Sequence, residues 1–502
     1  MQADNNAKSH KRKQLSIATY IPKKMTVDMK KDIDQSLLNL FTKDYQPFKL
    51  VEDKGFKQFV KMLNPNYTLP NRHSISKQYI PALYEKRLRE VKELVVQEAK
   101  HVCLTTDCWT SRNNESFMAI TIHFVDSNFS LQSILISCSS FNENHTAINL
   151  SEQIQKTIDE WQLEGKIKLA VSDNATNIKN ALGLLKLKHL GCFAHTLNLI
   201  VQSALTLENE LIDKVKTIVT YFRRSTVANN KLKTYQINNG IDKPKKLLQD
   251  VQTRWNSTYY MFNRFIELEN PIRGTLGLLD KAPQTLNSDE WSIIKELCTV
   301  LRPFEEATRA VSGESYMTAS IVIVLTQGLL NACKKLHTME FNERTLMIIK
   351  QLLENMEKRD AWKNVDKKRS NQLDEQNQDQ PDYISIDNPS TSNSPSIWET
   401  IDTSIAKLIP SGTSKSRAII EVQRYLEDGM LKRNMDPLKW WQEHKYNYPY
   451  LHILAKQTLC CLGTSVPCER IFSKAGLILN DRRCRLKSEK VEMLLFLNYN
   501  ST

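Results

Sequence analysis

A change of hydrophobic period between His101 and Phe141 constrains this chain more than any other feature. On both sides apolar residues recur at helical spacing; inside it, HVCLTTDCW, SFMAITIHFV and LQSILISCSSF are rich in β-branched and aromatic residues and are separated by short polar breaks. These runs predict three consecutive strands. Leu150, Ile154, Ile158 and Trp161 then mark one helical face, Gly165 ends it, and Ile167–Val171 is apolar and short enough for a buried strand. The order is β-β-β-α-β, an α/β core. Ser172–Leu185 and Cys192–Leu205 read as the helices that follow.

From about Glu208 to Lys358 the pattern is helical almost throughout, clearest over Leu211–Phe222, Trp255–Leu268, Trp291–Val311 and Ile321–Leu336. The expected division is a disordered basic arm at 1–31, a small helical domain at 32–100, the first part of the core at 101–207, an all-helical insertion at 208–369, a disordered polar linker at 370–395 and a C-terminal region at 396–502. The arm holds eight Lys/Arg against two acids, and Lys11-Arg12-Lys13 reads equally as a nuclear-import signal or as solvated charge. The linker holds five acids and no Lys or Arg, too little apolar surface to order itself.

The 69 Lys and Arg exceed the 56 Asp and Glu by thirteen, which favours polyanionic partners. Ten scattered cysteines, with Cys460 and Cys461 adjacent, argue for reduced thiols in a cytosolic or nuclear setting. No uninterrupted apolar run approaches the ~18–20 residues of a membrane span, and the polar, basic start is no secretory leader. Neither a membrane nor a small-molecule substrate is expected.

Asp107 follows the apolar part of one strand run and Asp173 follows another, the position where functional groups gather in open α/β sheets. Each is read alternatively as a helix cap. Cys192 and His195 resemble half a zinc site, but no second pair follows at suitable spacing, so no zinc is expected. Arg254-Trp255 couples a phosphate-binding fork to a stacking surface, or simply begins a helix. Glu469 stands near a predicted helix start with Arg470, Lys474, Arg482, Arg483, Arg485 and Lys487 around it, a cluster equally readable as a solvated face.

In order, TTDCWTS at 105–111, SDNA at 172–175, CFAH at 192–195, TRWNSTY at 253–259, and the block from DPLKWWQEHKYNYPYLHILAKQTL at 436–459 into TSVPCERIFSKAG at 464–476 resemble the hAT superfamily of DNA transposases and the host proteins derived from them. Many members carry an N-terminal BED-type zinc finger. The resemblance implies an RNase H-like catalytic core with a mixed sheet, interrupted by the helical domain and completed by a C-terminal dimerisation region. It implies that Asp107, Asp173 and Glu469 are a DDE triad binding Mg²⁺ or Mn²⁺ for phosphodiester hydrolysis and strand transfer. Cys192 and His195 match the family's C/H-x-x-H motif, and Trp255 the residue that stacks on an extruded base. His195, Arg254, Trp255, Arg470, Lys474, Arg482, Arg483 and Arg485 are thus the expected DNA-binding residues. Trp440, Trp441, Leu451, Leu454, Leu494, Leu495 and Phe496 are the dimerisation candidates, with internal core as their alternative role. Two departures stand out: Cys468 where the family usually has Ser, and no C-x-x-C with paired His before residue 100. The expected function is a nuclear, dimerising transposase or transposase-derived DNA-binding protein with a potentially intact site. The alternative is a catalytically silent, domesticated chromatin-binding protein acting in transcription regulation.

Overall fold

The computed structural model describes residues 25–111, 114–251, 253–280, 282–313, 319–358, 414–429, 431–432, 435–479 and 486–501. A five-stranded mixed sheet lies at its centre, built from β1 (Val102–Thr110), β2 (Ser116–Val125), β3 (Leu131–Ser140), β4 (Ile167–Ser172) and β5 (His189–Gly191) in the order β3-β2-β1-β4-β5. The three predicted strand runs form its antiparallel half, while β4 and then β5 add in parallel. β5 was absent from the sequence expectation. Three half-buried residues are too few for a period to show.

Ahead of the sheet come α1 (Val27–Thr42), α2 (Lys54–Leu63) and α3 (Ile80–Glu98); α4 (Ala147–Glu160) joins β3 to β4, and α5 (Thr176–Leu184) joins β4 to β5. Next follow α6 (Phe193–Leu205), α7 (Asn209–Arg224), α8 (Thr226–Asn238), α9 (Trp255–Glu267), α10 (Glu269–Leu276), α11 (Ser288–Val311), α12 (Ala319–His337) and α13 (Glu343–Lys358). The last described helices are α14 (Ser414–Glu427), α15 (Pro437–His444), α16 (Leu451–Leu459), α17 (Val466–Ile478) and α18 (Ser488–Tyr499).

Alternation along the strands gives the sheet two apolar faces. On one, Leu104, Ile120, Ile122 and Ile134 pack under Leu150, Ile154 and Ile158 of α4 and Ile178 and Leu182 of α5. On the other, Phe117, Ala119 and Leu135 are covered by Leu38 and Phe41 of α1, Ile471 and Ala475 of α17, and Val491 and Leu494 of α18. Farther along that sheet, Cys103, Val125 and Val171 meet Leu438, Trp441 and Tyr448. Both ends of the described chain therefore close the same core. Asn500 fastens the later end: its amide donates to the Leu135 carbonyl at 2.9 Å and accepts from the Leu135 N–H at 3.1 Å.

Three expectations need correction. The N-terminal helices are no separate bundle, because Leu37, Leu38, Phe41 and Ile75 share one apolar cluster with the sheet. α1 begins at Val27 with Thr26 as its cap, inside the stretch expected to be a basic arm. Leu494, Leu495 and Phe496 are only 1–3% exposed and fill the core, so they offer no dimer surface; Trp441 is buried as well. The expected linker at 370–395 lies outside the described residues.

α6 to α13 enclose an apolar core of their own, with Trp255, Phe262, Phe265, Trp291 and Phe304 among its large side chains. A reciprocal capping box between Asn287 and Glu290 starts α11, and a buried Glu208 carboxylate takes both nitrogens of an Arg344 fork. α12 is long and apolar enough by composition to cross a membrane; Val322, Leu329 and Cys333 pack one side of it against this core, while Ile323 and Val324 are exposed.

Candidate active site

β1 and β4 run parallel with Thr105 opposite Val171, so Asp107 and Asp173, each two residues farther on, leave the pair at the same end. The Cys108 N–H donates to Asp107 Oδ1 at 2.9 Å, and the Ala175 N–H to Asp173 Oδ1 at 3.2 Å. Glu469 arrives from the other direction, in the first turn of α17, which lies across β1 and β2. Burial, reinforced by the negative charges of Asp173 and Glu469, pushes the Asp107 carboxyl up to about 7. The three acids thus share one electrostatic neighbourhood, although they come from three separate parts of the chain.

Several contacts fix the approach to Glu469. The Phe193 N–H donates to the Gly463 carbonyl at 2.9 Å, and the Ser465 N–H donates to Cys192 Sγ at 3.4 Å. The Thr464 hydroxyl donates to the Val311 carbonyl at 3.2 Å. Beneath Glu469, the Cys468 thiol lies 3.3 Å from the Thr105 hydroxyl, so a small polar side chain is what this position takes. Cys192 is therefore a buried anchor for the start of α17. Asn174, next to Asp173, donates to Thr196 on α6 at 2.8 Å and lies against Gly191, where an added Cβ would stand 2.1 Å from the Asn174 oxygen. A side chain at 191 would push the Asn174 amide away from Thr196. None of these long-range pairings leaves a local signal in sequence.

A cleft of about 480 Å³ opens beside two of the acids, with Asp107, Glu469 and Arg254 on its walls; Asp173 is not among its lining residues. Trp109 and Phe472 line it and stack on each other, ring centroids 5.8 Å apart and 19° from parallel. The TTDCWTS motif contains Trp109, but nothing in its sequence context gave it this place. Arg254 Nη2 lies 3.9 Å from Glu469 Oε2, and both side chains are open to solvent.

Other expected DNA contacts are placed differently. Trp255 is 1% exposed, in the helical core beside Tyr259, and presents no stacking face; the helical spacing of Trp255, Tyr259 and Phe262 was the available signal. Arg470 donates to the Ser312 carbonyl and so pins α17 to the end of α11. Lys474 lies over the Tyr499 ring and His195 is half-buried on α6; neither lines the cleft. Arg482, Arg483 and Arg485 lie outside the described residues. Of the dimerisation candidates, Trp440 and Leu451 are half-buried and Leu454 is 53% exposed.

Among the described residues, no group of three or more His, Cys, Asp or Glu side chains is gathered tightly enough to hold a metal ion. The donor chemistry nevertheless suits a hard divalent cation, since all three acids offer oxygen, and a cation would offset both the burial of Asp107 and the smaller repulsion from Asp173 and Glu469.

Comparison with known proteins agrees with this architecture. Residues 105–196 match the ZBED1 RNase-like domain, 190–300 the ZBED1 RNase-like helical domain, and 421–501 the hAT family C-terminal dimerisation region. Zinc finger BED domain-containing protein 4 of Homo sapiens is 24% identical over 515 residues, covering 94% of this chain and 43% of that protein. The putative AC transposase of Zea mays is 24% identical over 510 residues, 89% of this chain and 62% of that protein. The putative transcriptional regulator tpeD of Talaromyces stipitatus is 24% identical over 530 residues, 92% and 61% respectively. The chain thus spans about half the length of these relatives. Its matched domains, in this order and on this fold, make it a member of the hAT superfamily of transposases and transposase-derived proteins.

Proposed function

We propose that this protein is a nuclear, DNA-binding hAT-type transposase or transposase derivative with an RNase H-like core, whose Asp107, Asp173 and Glu469 form a site for metal-dependent phosphodiester cleavage and strand transfer. The observation that carries the reading is the raised Asp107 carboxyl, flanked by Asp173 from the neighbouring parallel strand and by Glu469 from α17. Mg²⁺ or Mn²⁺ held by these three carboxylates would activate a water and stabilise the departing oxygen. The chain's own residues do the rest. Arg254, beside Glu469 on an open wall, can exchange that carboxylate for a DNA phosphate, and Trp109 and Phe472 give the cleft an apolar, water-poor side.

Self-association follows from the dimerisation region, and its surface is proposed on α14 and α16. Glu421 accepts from the N–H groups of Tyr450 and Leu451 at the start of α16, which fixes α14 with Ile419, Val422 and Leu426 turned to solvent at a three- and four-residue spacing. Ile453 and Leu454 are exposed on α16. A second copy would cover this apolar surface.

The test is cleavage of duplex ends by the full chain in Mg²⁺ or Mn²⁺, with Asp107→Asn, Asp173→Asn and Glu469→Gln compared one at a time. Each is expected to abolish cleavage and to remove the thermal stabilisation that the metal alone gives the wild type. Cleavage or metal stabilisation surviving in all three variants would refute the assignment.

A further inference from the structure

A second cleft, of about 190 Å³, lies in the helical domain and shares no lining residue with the first. Its floor is Phe222, Leu232 and Leu247, all buried, and its rim carries Arg223, Lys246 and Asn229. Between Arg223 and Lys246 the sequence has seven Lys and Arg (223, 224, 231, 233, 243, 245 and 246) against the single acid Asp242. A cation at the end of a helix such as α7 is often there only to complement the helix dipole. Three observations go beyond that.

First, the irregular stretch carrying Lys246 is held in place. Buried Gln236 accepts from the Lys245 N–H at 2.8 Å and donates to the Lys245 carbonyl at 3.0 Å, and Arg264 donates to the Lys246 carbonyl at 2.8 Å. Second, Lys245 is neutralised by Glu267, whereas among the described residues Arg223, Arg224 and Lys246 have no acidic partner. Third, Lys233 on α8 and Lys243 on the following segment are exposed and have no acidic partner among the described residues, while Lys231 donates to the Leu278 carbonyl at 2.9 Å.

We infer that this cleft and its rim are a docking site for the phosphodiester backbone of duplex DNA, distinct from the acid-lined cleft. A phosphate between Arg223 and Lys246 would replace water on both cations, with the Asn229 amide as a neutral donor and the apolar floor strengthening the pairing by keeping water out. Contacts of this kind, to phosphate, position the duplex and carry no sequence information of their own. The inference rests on the proposal that this protein binds DNA.

The test uses the full chain and a labelled random-sequence duplex, with affinity measured by anisotropy between about 50 and 200 mM salt. Arg223→Gln with Lys246→Gln is expected to weaken binding about 5- to 10-fold at low salt and to reduce the slope of log affinity against log salt by about 1–2, the counterions of two phosphate contacts. Arg223→Lys with Lys246→Arg should keep the wild-type slope, and all variants should keep the wild-type melting temperature because the rim is exposed. An unchanged slope and affinity in the Gln variant, with the wild type binding, overturns this site and leaves the DNA reading intact. No duplex binding by the wild type overturns both. Displacement of the duplex by millimolar inorganic phosphate, lost in the Gln variant, would assign the cleft to a free anion instead.

Discussion

Replacing Trp255 by alanine separates two roles for one residue. In the structure the indole is buried among the side chains of the helical domain, with the Tyr259 ring centroid 6.4 Å away and the Trp255 backbone N–H donating to the Asn198 side-chain Oδ1 at 3.0 Å. A tryptophan buries about 150–250 Å², so at about 25 cal/mol per Å² the deletion removes roughly 4–6 kcal/mol of burial, partly recovered by relaxation around the cavity. The expected loss of stability is therefore about 4 kcal/mol. Indole Nε1 has no hydrogen-bond partner among the described residues, so Trp255→Phe forfeits volume only and should cost about 1–2 kcal/mol. Urea unfolding followed by far-ultraviolet circular dichroism, reading the helical-domain transition, measures both. A base-stacking tryptophan on the surface behaves oppositely: its alanine variant keeps its stability and loses about 1–3 kcal/mol of DNA affinity. If Trp255→Ala unfolds within about 0.5 kcal/mol of the wild type while DNA binding collapses, the core assignment is wrong.

Ile419→Lys with Leu426→Lys should convert the full chain to monomer in light scattering while its circular dichroism stays native, whereas Leu494→Lys should unfold the sheet domain. A dimer persisting in the first variant would place the interface elsewhere. Asp107 gives a pH test whose sign follows from its raised pKa: the folded chain holds the proton more tightly than the unfolded chain, so stability is lost as pH rises from about 4 to about 7. Asp107→Asn should accordingly be more stable than the wild type by about 4 kcal/mol above pH 7 in chelator, with the gap closing at acid pH in thermal melts. Glu208→Gln weakens a pair in which only the carboxylate is buried and should cost about 1.5–3 kcal/mol, against under about 1 kcal/mol for Arg254→Ala, whose partner Glu469 is solvent-exposed; urea titration compares them.

The antiparallel half of the sheet was legible because its three runs are long and their period is unlike the helices around them. β5 was not, because His189, Leu190 and Gly191 become a strand only where β4 offers them an edge. Asp107 and Asp173 were legible as strand-end acids, since position in an α/β sheet is a local matter. What brings Glu469 beside them is tertiary: the Cys192–Ser465, Phe193–Gly463 and Thr464–Val311 pairings span long stretches of chain. Trp255, Leu494 and Leu495 mark another limit. A large apolar side chain on a helix carries the same sequence signal whether it meets its own core or a partner, and only the surrounding packing decides.

Glu469 is also late in time. A ribosome that has produced the chain through α13 has made α1, β1 to β5 and both strand-end acids, but α17 and α18, which complete the cover over Phe117, Ala119 and Leu135 and deliver Glu469, are still to come. During that interval one apolar face of the sheet is covered only in part, a surface prone to aggregation. The same helices that protect it on arrival bring the third acid, so completing the fold and completing the site are one event, and a chain cut short before α17 lacks both.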